Sequence, residues 1–260
     1  MTDSLRSLLL REAARINSPE FIEADPVQFP RRFSAQADVE IVALLAAHLA
    51  WGNRTLIRRD VERLLSMMDN QPSAWVRDQA YEAVADDQNI HRTFFGRNLK
   101  HLLRGLHRVY SRYGTLDEFC RQSGAPQCEC SSWVLAEALN HEMAQANSGE
   151  SDSRCLPLNL RTTALKRLNM ALRWLVRCDG IVDMGVWRSL TPAQLYVPLD
   201  VHVGRTALTL GLTDRTTADR RTAVELTQVL RTVCPDDPVL LDFALFGLGV
   251  SHAPILPSDC

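Results

Sequence analysis

Hydrophobic positions recur along most of the chain at helical spacing, three to four residues apart. Residues 4–16 form one amphipathic stretch, after which Pro19, Pro26 and Pro30 interrupt the pattern. Residues 37–50 are apolar on nearly every side, which predicts a central core helix and not a surface one. The turn signal Trp51-Gly52-Asn53-Arg54 ends it, and the spacing predicts another helix over about 55–68. Further helices are expected at about 74–85, 98–113 and 131–146. Residues 147–159, rich in Ser, Gly and Asp, read as a flexible linker or surface loop. Alternating β-branched runs are few, so strands should be minor, and there is no internal repeat.

The second half carries the strongest patterning. Over 166–177, Leu168, Leu172, Leu175 and Val176 make an apolar stripe, while Lys166, Asn169, Arg173 and Arg177 make a second, cationic one. Pro198-Leu199-Asp200 stops the chain and restarts it, with Asp200 standing as an N-cap before VHVGRTALTLGL and Gly211 as the stop. A carboxylate accepting hydrogen bonds from free helix N–H groups is fixed and ionised, suited to stabilising a nearby cation. Residues 222–233 bury Ala223, Leu226, Leu230 and Val233 on one face. Asp237-Pro238 then opens a last helix, VLLDFALFGLGV, whose apolar run is broken by Asp242. An acid there needs a partner, and Arg31, Arg92 and Arg173 are the arginines considered for it.

At 260 residues, 46% hydrophobic and 23% charged, the chain suits one large or two small globular domains. No apolar run is long enough to span a membrane and the N-terminus lacks a signal-peptide pattern, so a cytoplasmic protein is expected. The cysteines at 120, 128, 130, 155, 178, 234 and 260 are odd in number and scattered. Neither a disulfide framework nor a zinc site is expected from them; buried thiols are. A net charge of −2 argues against indiscriminate nucleic-acid binding, yet the cations are clustered. Arg92, Arg97, Lys100, Arg104, Arg108 and Arg112 occur with no acid between 88 and 114, and residues 154–177 are likewise basic and acid-free. Such segments read either as solvated helix faces or as a phosphate-binding surface.

Several phrases carry a family resemblance. AWGNR, HRTFFG, KRLNMALRWLVR, PLDVHVGR and DFALFGLGV, spread over nearly the whole chain, resemble the bacterial family DUF2400. PLDVHVGRTALTLGL also resembles the PVDTHVxRVxxRLGL segment of the helix-hairpin-helix DNA glycosylases, the endonuclease III superfamily, whose aspartate is catalytic. KRLNMALRWLVR resembles the lysine-bearing helix of the archaeal 8-oxoguanine glycosylase branch. The resemblance implies an all-α, two-lobed helical bundle of the helix-hairpin-helix DNA glycosylase type. It would be a single unit over 1–260, with a helical lobe at about 35–150 and a hairpin-containing lobe at about 160–250 that the N-terminal segment completes. Two features depart from the superfamily: the paired-glycine phrase LPGVGxKTA is absent, with Gly180 and Gly185 in its place, and no four-cysteine cluster run follows the last helix.

By that resemblance Lys166 and Asp200 are catalytic, and Asp242, Phe246, Met170 and Trp51 line a base pocket. Asn53, Arg54, Arg92, Arg97, Lys100, Arg104, Arg173 and His202 would face DNA. Asn53, Arg54 and Trp51 could form a wedge filling the gap left by a flipped base, or merely a Gly-Asn helix cap beside a core tryptophan. The expected reaction is removal of a damaged or modified base, 8-oxoguanine the first guess, from double-stranded DNA. Lys166 would attack C1′ as a neutral amine, helped by desolvation and by Arg167 and Arg173, and form a Schiff base that permits β-elimination. The alternative is a catalytically inactive module that recognises distorted DNA or RNA; a helical interaction protein without nucleic acid is a further rival. No cofactor, metal or membrane is expected, and the protein would be a monomer, nucleoid-associated when bound to DNA.

Overall fold

A computed structural model describes residues 1–250. Cys260, among the cysteines considered above, lies outside the described residues. The described residues form twelve α-helices: α1 (Asp3–Ile16), α2 (Pro19–Ala24), α3 (Gln36–Leu49), α4 (Arg54–Met67), α5 (Pro72–Arg77), α6 (Gly96–Tyr113), α7 (Leu116–Gln122), α8 (Ser131–Ala146), α9 (Lys166–Val176), α10 (Val201–Thr209), α11 (Arg220–Arg231) and α12 (Leu241–Val250). A two-stranded hairpin, β1 (Asn89–His91) with β2 (Phe94–Phe95), is the one sheet among the described residues. The fold is all-α, and no described helix is long and apolar enough to cross a membrane.

Helix α3 takes the central position its sequence predicts, with ten of its fourteen residues buried. It packs against α4, α5 and α9, while α6 packs against α5, α7 and α8. The N-terminal α1 lies along α12, and α12 lies along α10. Gly247 permits the first approach, because a Cβ there would stand 2.4 Å from Ile16. One continuous apolar cluster joins all these helices.

Most predicted boundaries hold within two or three residues. Residues 74–85 are an exception: α5 stops at Arg77, and Gln79, in left-handed conformation at φ 54°, separates it from a short 3₁₀ turn. Segment 147–159 is no flexible linker. Cys155 is buried and its thiol meets the Asn98 carbonyl at 3.1 Å, Asn98 Nδ2 donates to Asp152 at 2.6 Å, and Asn147 donates to two carbonyls.

Between α9 and α10, residues 177–200 hold only a short 3₁₀ turn, Pro192–Gln194, so something other than regular secondary structure must fix the chain there. Glu40, fully buried on α3, does much of this. Its carboxylate accepts from Trp187 Nε1 at 2.8 Å, Leu116 N at 2.9 Å, Asp117 N at 3.1 Å, Tyr110 OH at 2.9 Å and Gln36 Nε2 at 3.0 Å. Burial pushes this carboxyl above its ordinary value, and the hydrogen bonds from Leu116, Gln36, Tyr110 and Asp117 oppose the push. Asp117, so positioned, accepts from the backbone N–H of Arg188 and Ser189, both at 2.9 Å. Replacing Glu40 with Ala strands an indole N–H and two backbone N–H groups in the core. Urea unfolding should show Glu40→Ala destabilised by about 3 kcal/mol or more, and Glu40→Gln by less, since an amide oxygen still accepts.

Candidate functional site

Two helix beginnings meet at the site. Helix α9 begins at Lys166, after Leu165, a bulky residue held in left-handed conformation at φ 52°. Leu165 is buried, and Asn169 Nδ2 donates back to the Ala164 carbonyl at 2.9 Å, so packing and a local hydrogen bond sustain an unfavourable backbone and fix where the helix begins. Helix α10 begins after Asp200, whose Oδ1 accepts from the backbone N–H of His202 and Val203, both at 2.9 Å. Gly211, at φ 67°, ends it as its sequence predicts, with Leu212 N–H closing on the Ala207 carbonyl. The second oxygen of Asp200, Oδ2, lies 3.3 Å from Lys166 Nζ, the two residues standing 34 positions apart in the chain. Both side chains are about one-third exposed, within reach of solvent and of a ligand.

Beside this pair is a buried ionic cluster. Arg173 Nη1 meets Asp242 Oδ2 at 2.5 Å, and its Nε stands 3.4 Å from Asp183. Arg177 bonds Asp183, Asp179 and Asp237 at 2.9, 2.6 and 2.7 Å. Of the arginines considered for Asp242, Arg173 is therefore the partner; Arg31 donates to the Val182 carbonyl instead. Asp242 is pushed up to about 6, chiefly by burial, with Asp200 adding to the push and Arg173 and Lys166 opposing it. Its other oxygen makes no hydrogen bond among the described residues. Phe246, four residues on, is half-buried, with Phe21 edge-on at 5.7 Å and the Arg54 guanidinium over its ring at 5.2 Å. Met170 is partly buried against the core. Lys166 also borders a largely apolar cavity of about 280 Å³, whose wall includes Leu102, Leu139, Leu165 and Leu199. His48 also lines it and stays uncharged, its imidazole pushed down to about 3 by burial and by nearby Arg167.

The Trp51-Gly52-Asn53-Arg54 turn adjoins this region. Asn53 caps the helix after the turn, α4, accepting from Thr55 N at 2.9 Å, so the expected cap of the preceding helix is corrected. Trp51 is half-buried and meets His91 edge-on, with Arg92 stacked at 4.5 Å from its ring centre. Burial opposes ionisation of Asp60, yet bonds from His91 and Arg59 hold its carboxyl below the usual range. His91 Nδ1 lies 2.7 Å from Asp60, and its Nε2 donates to the Trp51 carbonyl at 3.0 Å. The turn is thus anchored from below by a buried imidazole.

Of the remaining residues assigned to DNA, those on α6 lie away from the pair, while Arg173 and His202 lie beside it. Arg173 is buried in its ion pairs and presents no surface, so its place in a DNA-facing stripe is corrected. Lys100 is held by Asp86 at 2.5 Å, and Arg104 by Glu82 at 2.6 Å. Arg108 and Arg112 both bind Glu142, at 2.6 and 2.7 Å. The basic stripe of α6 is acid-free only along the chain; acids from other segments neutralise much of it. Leu102, Gly105 and Leu106 turn to the cavity beside Lys166, leaving Lys100, Arg104 and Arg108 on the far side of α6. Arg97 is exposed and stacks on Phe95 at 4.8 Å. His202 reaches Asp200 through its backbone N–H; its ring makes no hydrogen bond among the described residues.

One feature of the site has a simple signal in the sequence. Of 29 basic residues only two, Lys100 and Lys166, are lysines. Since arginine does not lose its proton in proteins, these two supply the side-chain amines capable of nucleophilic attack, and Lys100 is engaged by Asp86. Arg167, next to Lys166, has no comparable mark, yet it reaches the Trp51 ring.

The family model described as "Protein of unknown function (DUF2400)" matches residues 25–251, and the chain belongs to that family. No curated protein and no solved structure matches it.

Asp242 carries a pH dependence whose sign follows from burial. Its folded-state value, raised to about 6, exceeds that of the unfolded chain, so its contribution to stability is full at low pH and is lost as pH rises through about 6. Urea unfolding across this range should show the wild type losing on the order of 2 kcal/mol relative to Asp242→Asn. Equal slopes with pH would show that Asp242 ionises in the fold as it does in water.

Proposed function

We propose that this member of the DUF2400 family is a bifunctional DNA glycosylase and β-elimination lyase acting on a damaged or modified base in double-stranded DNA. The observation that carries the reading is the 3.3 Å approach of Lys166 Nζ to a helix-capping Asp200. The pair fits a need of the reaction: an amine to attack the sugar, and a fixed carboxylate beside it where positive charge builds. In this reading the architecture is of the helix-hairpin-helix glycosylase type, with residues 177–200 as the connection that returns the chain from α9 to α10.

The chemistry begins with the target nucleotide turned out of the stack, because C1′ is shielded inside the duplex. Lys166, once it has given up a proton, attacks C1′ as the bond from C1′ to the base nitrogen breaks, and the electron pair of that bond leaves with the base. Asp200 stabilises the cationic sugar or takes the lysine's proton. The ring oxygen–C1′ bond then opens to give a Schiff base between C1′ and Nζ. Loss of a C2′ proton allows the 3′ phosphate to leave, nicking the strand. Asp242 and Phe246, on one face of α12, suit recognition of a purine: the unbonded Asp242 oxygen can accept from a ring N–H or exocyclic amine, and the Phe246 ring can pack against the base. 8-Oxoguanine, whose N7 carries a hydrogen, is the first substrate to try. Asn53 and Arg54, exposed on the turn beside Phe246, are the side chains proposed to face the gap in the duplex.

Strand nicking on labelled duplexes containing 8-oxoguanine, other lesions or an abasic site tests the reading. Wild type should nick at least one of them, Lys166→Gln should lose the activity, and Asp200→Asn should be slowed about 100-fold or more. Tight binding without nicking on every duplex would favour the inactive recognition module. Absence of both binding and nicking would remove nucleic acid from the account.

A further inference from the structure

Arg173 and Arg177 beside the site are held in ion pairs, whereas Arg92 and Arg167 are not. Neither has a carboxylate partner among the described residues, although both are held in place. The Arg92 guanidinium carbon lies 4.5 Å from the centre of the Trp51 ring and that of Arg167 lies 5.9 Å from the same centre. Two cations gathered on one ring repel each other, and stacking only partly offsets this. Helix α3 holds one of them further, through Arg167 Nη1 to the His48 carbonyl at 3.3 Å. Desolvation draws the Arg167 guanidinium down from its ordinary value, with no nearby acid to counter it.

The backbone beneath Arg92 is equally committed. Arg92 sits at the tip of the β1–β2 hairpin in left-handed conformation, at φ 51°, and Asn89 Nδ2 pins its carbonyl at 2.6 Å. Its guanidinium lies against Gly52, where an added Cβ would stand 2.2 Å from Nη1, so a side chain there would push Arg92 away. Gly52 itself is at φ 100°, a conformation that glycine adopts without strain. His91, clamped between Asp60 and the Trp51 carbonyl, ties the hairpin to the turn. A stacked guanidinium keeps its N–H edge free for a bidentate acceptor in the plane, and an anionic acceptor that matches it and relieves the repulsion between two cations is a phosphate.

We propose that Arg92 and Arg167, organised by Trp51, form a two-guanidinium clamp for one backbone phosphodiester of the DNA strand that enters at Lys166. The inference rests on the reading of DNA as substrate. It gives the chain a phosphate grip in place of the paired-glycine phrase that the connection between α9 and α10 lacks. Placed one residue from Lys166, the clamp would hold the strand by its phosphate while the sugar meets the amine.

Fluorescence anisotropy with a duplex containing tetrahydrofuran, an abasic analogue that cannot form the Schiff base, tests this across a range of KCl concentrations. The double variant Arg92→Gln/Arg167→Gln, which loses the contact to one phosphodiester, should reduce the slope of log affinity against log salt by about 0.9, and each single variant by less. Each should weaken binding about tenfold near physiological salt. Arg221→Gln, an exposed arginine paired with Glu225 on α11, should leave both unchanged. Arg92→Lys keeps the charge without the planar fork, so it should keep the slope and lose affinity; it carries the test if Arg92→Gln melts early. A wild-type slope and affinity in the double variant, with the wild type binding tightly, would overturn the clamp and leave the glycosylase reading standing. Failure of the wild type to bind the duplex would overturn that reading and the clamp with it.

Discussion

The meeting of Lys166 with Asp200 depends on two helix N-termini being held together. A cation is unwelcome at the start of a helix, where the peptide dipoles present their positive end. Lys166 occupies such a position on α9, and Asp200 offsets the cost with one oxygen while capping α10 with the other. The carboxylate is therefore oriented before any ligand arrives. Its geometry comes from backbone N–H groups, which cannot swing away as a side-chain partner could.

No regular secondary structure dictates this meeting, because the chain between α9 and α10 holds only a short 3₁₀ turn. Its course is set by buried charge. At one end Arg177 gathers Asp179, Asp183 and Asp237, and Arg31 holds the Val182 carbonyl. Midway along it, Glu40 and Asp117 hold Trp187 and the backbone that follows it. Buried ion pairs of this kind add little to net stability, but losing one partner is costly because the other is left uncompensated. Asp242 shares this arrangement: Arg173 binds one of its oxygens and keeps it beside Lys166 and Asp200, while burial raises it to about 6. A carboxyl poised so close to neutrality can change its charge with a modest change in surroundings, such as arrival of a base.

What was legible in the sequence was local. Asp200 declares itself as a cap because capping involves residues two and three positions away, and α3 declares its burial because every face is apolar. The Lys166–Asp200 pairing itself came from a resemblance, as no periodicity relates positions so far apart. The basic stripe on α6 misled for the converse reason: acids absent from its own segment arrive from Glu82, Asp86 and Glu142 once the chain folds. Segment 147–159 looked mobile by composition, yet its polar side chains bond to neighbouring helices, and Cys155 is buried among them. The approach of Arg167 to Trp51 has no sequence signal, because nothing in a linear reading connects the two positions.

The central claim is that the Lys166 amine forms a covalent bond to a sugar C1′. Borohydride reduction of the protein mixed with an abasic duplex, followed by nuclease and protease digestion and mass spectrometry, tests it most directly. With two lysines in the chain, the location of an adduct is easily resolved. The account predicts a sugar remnant on the peptide containing Lys166. An adduct on Lys100 or on the N-terminal amine alone, or an unmodified protein after binding the duplex, would contradict it.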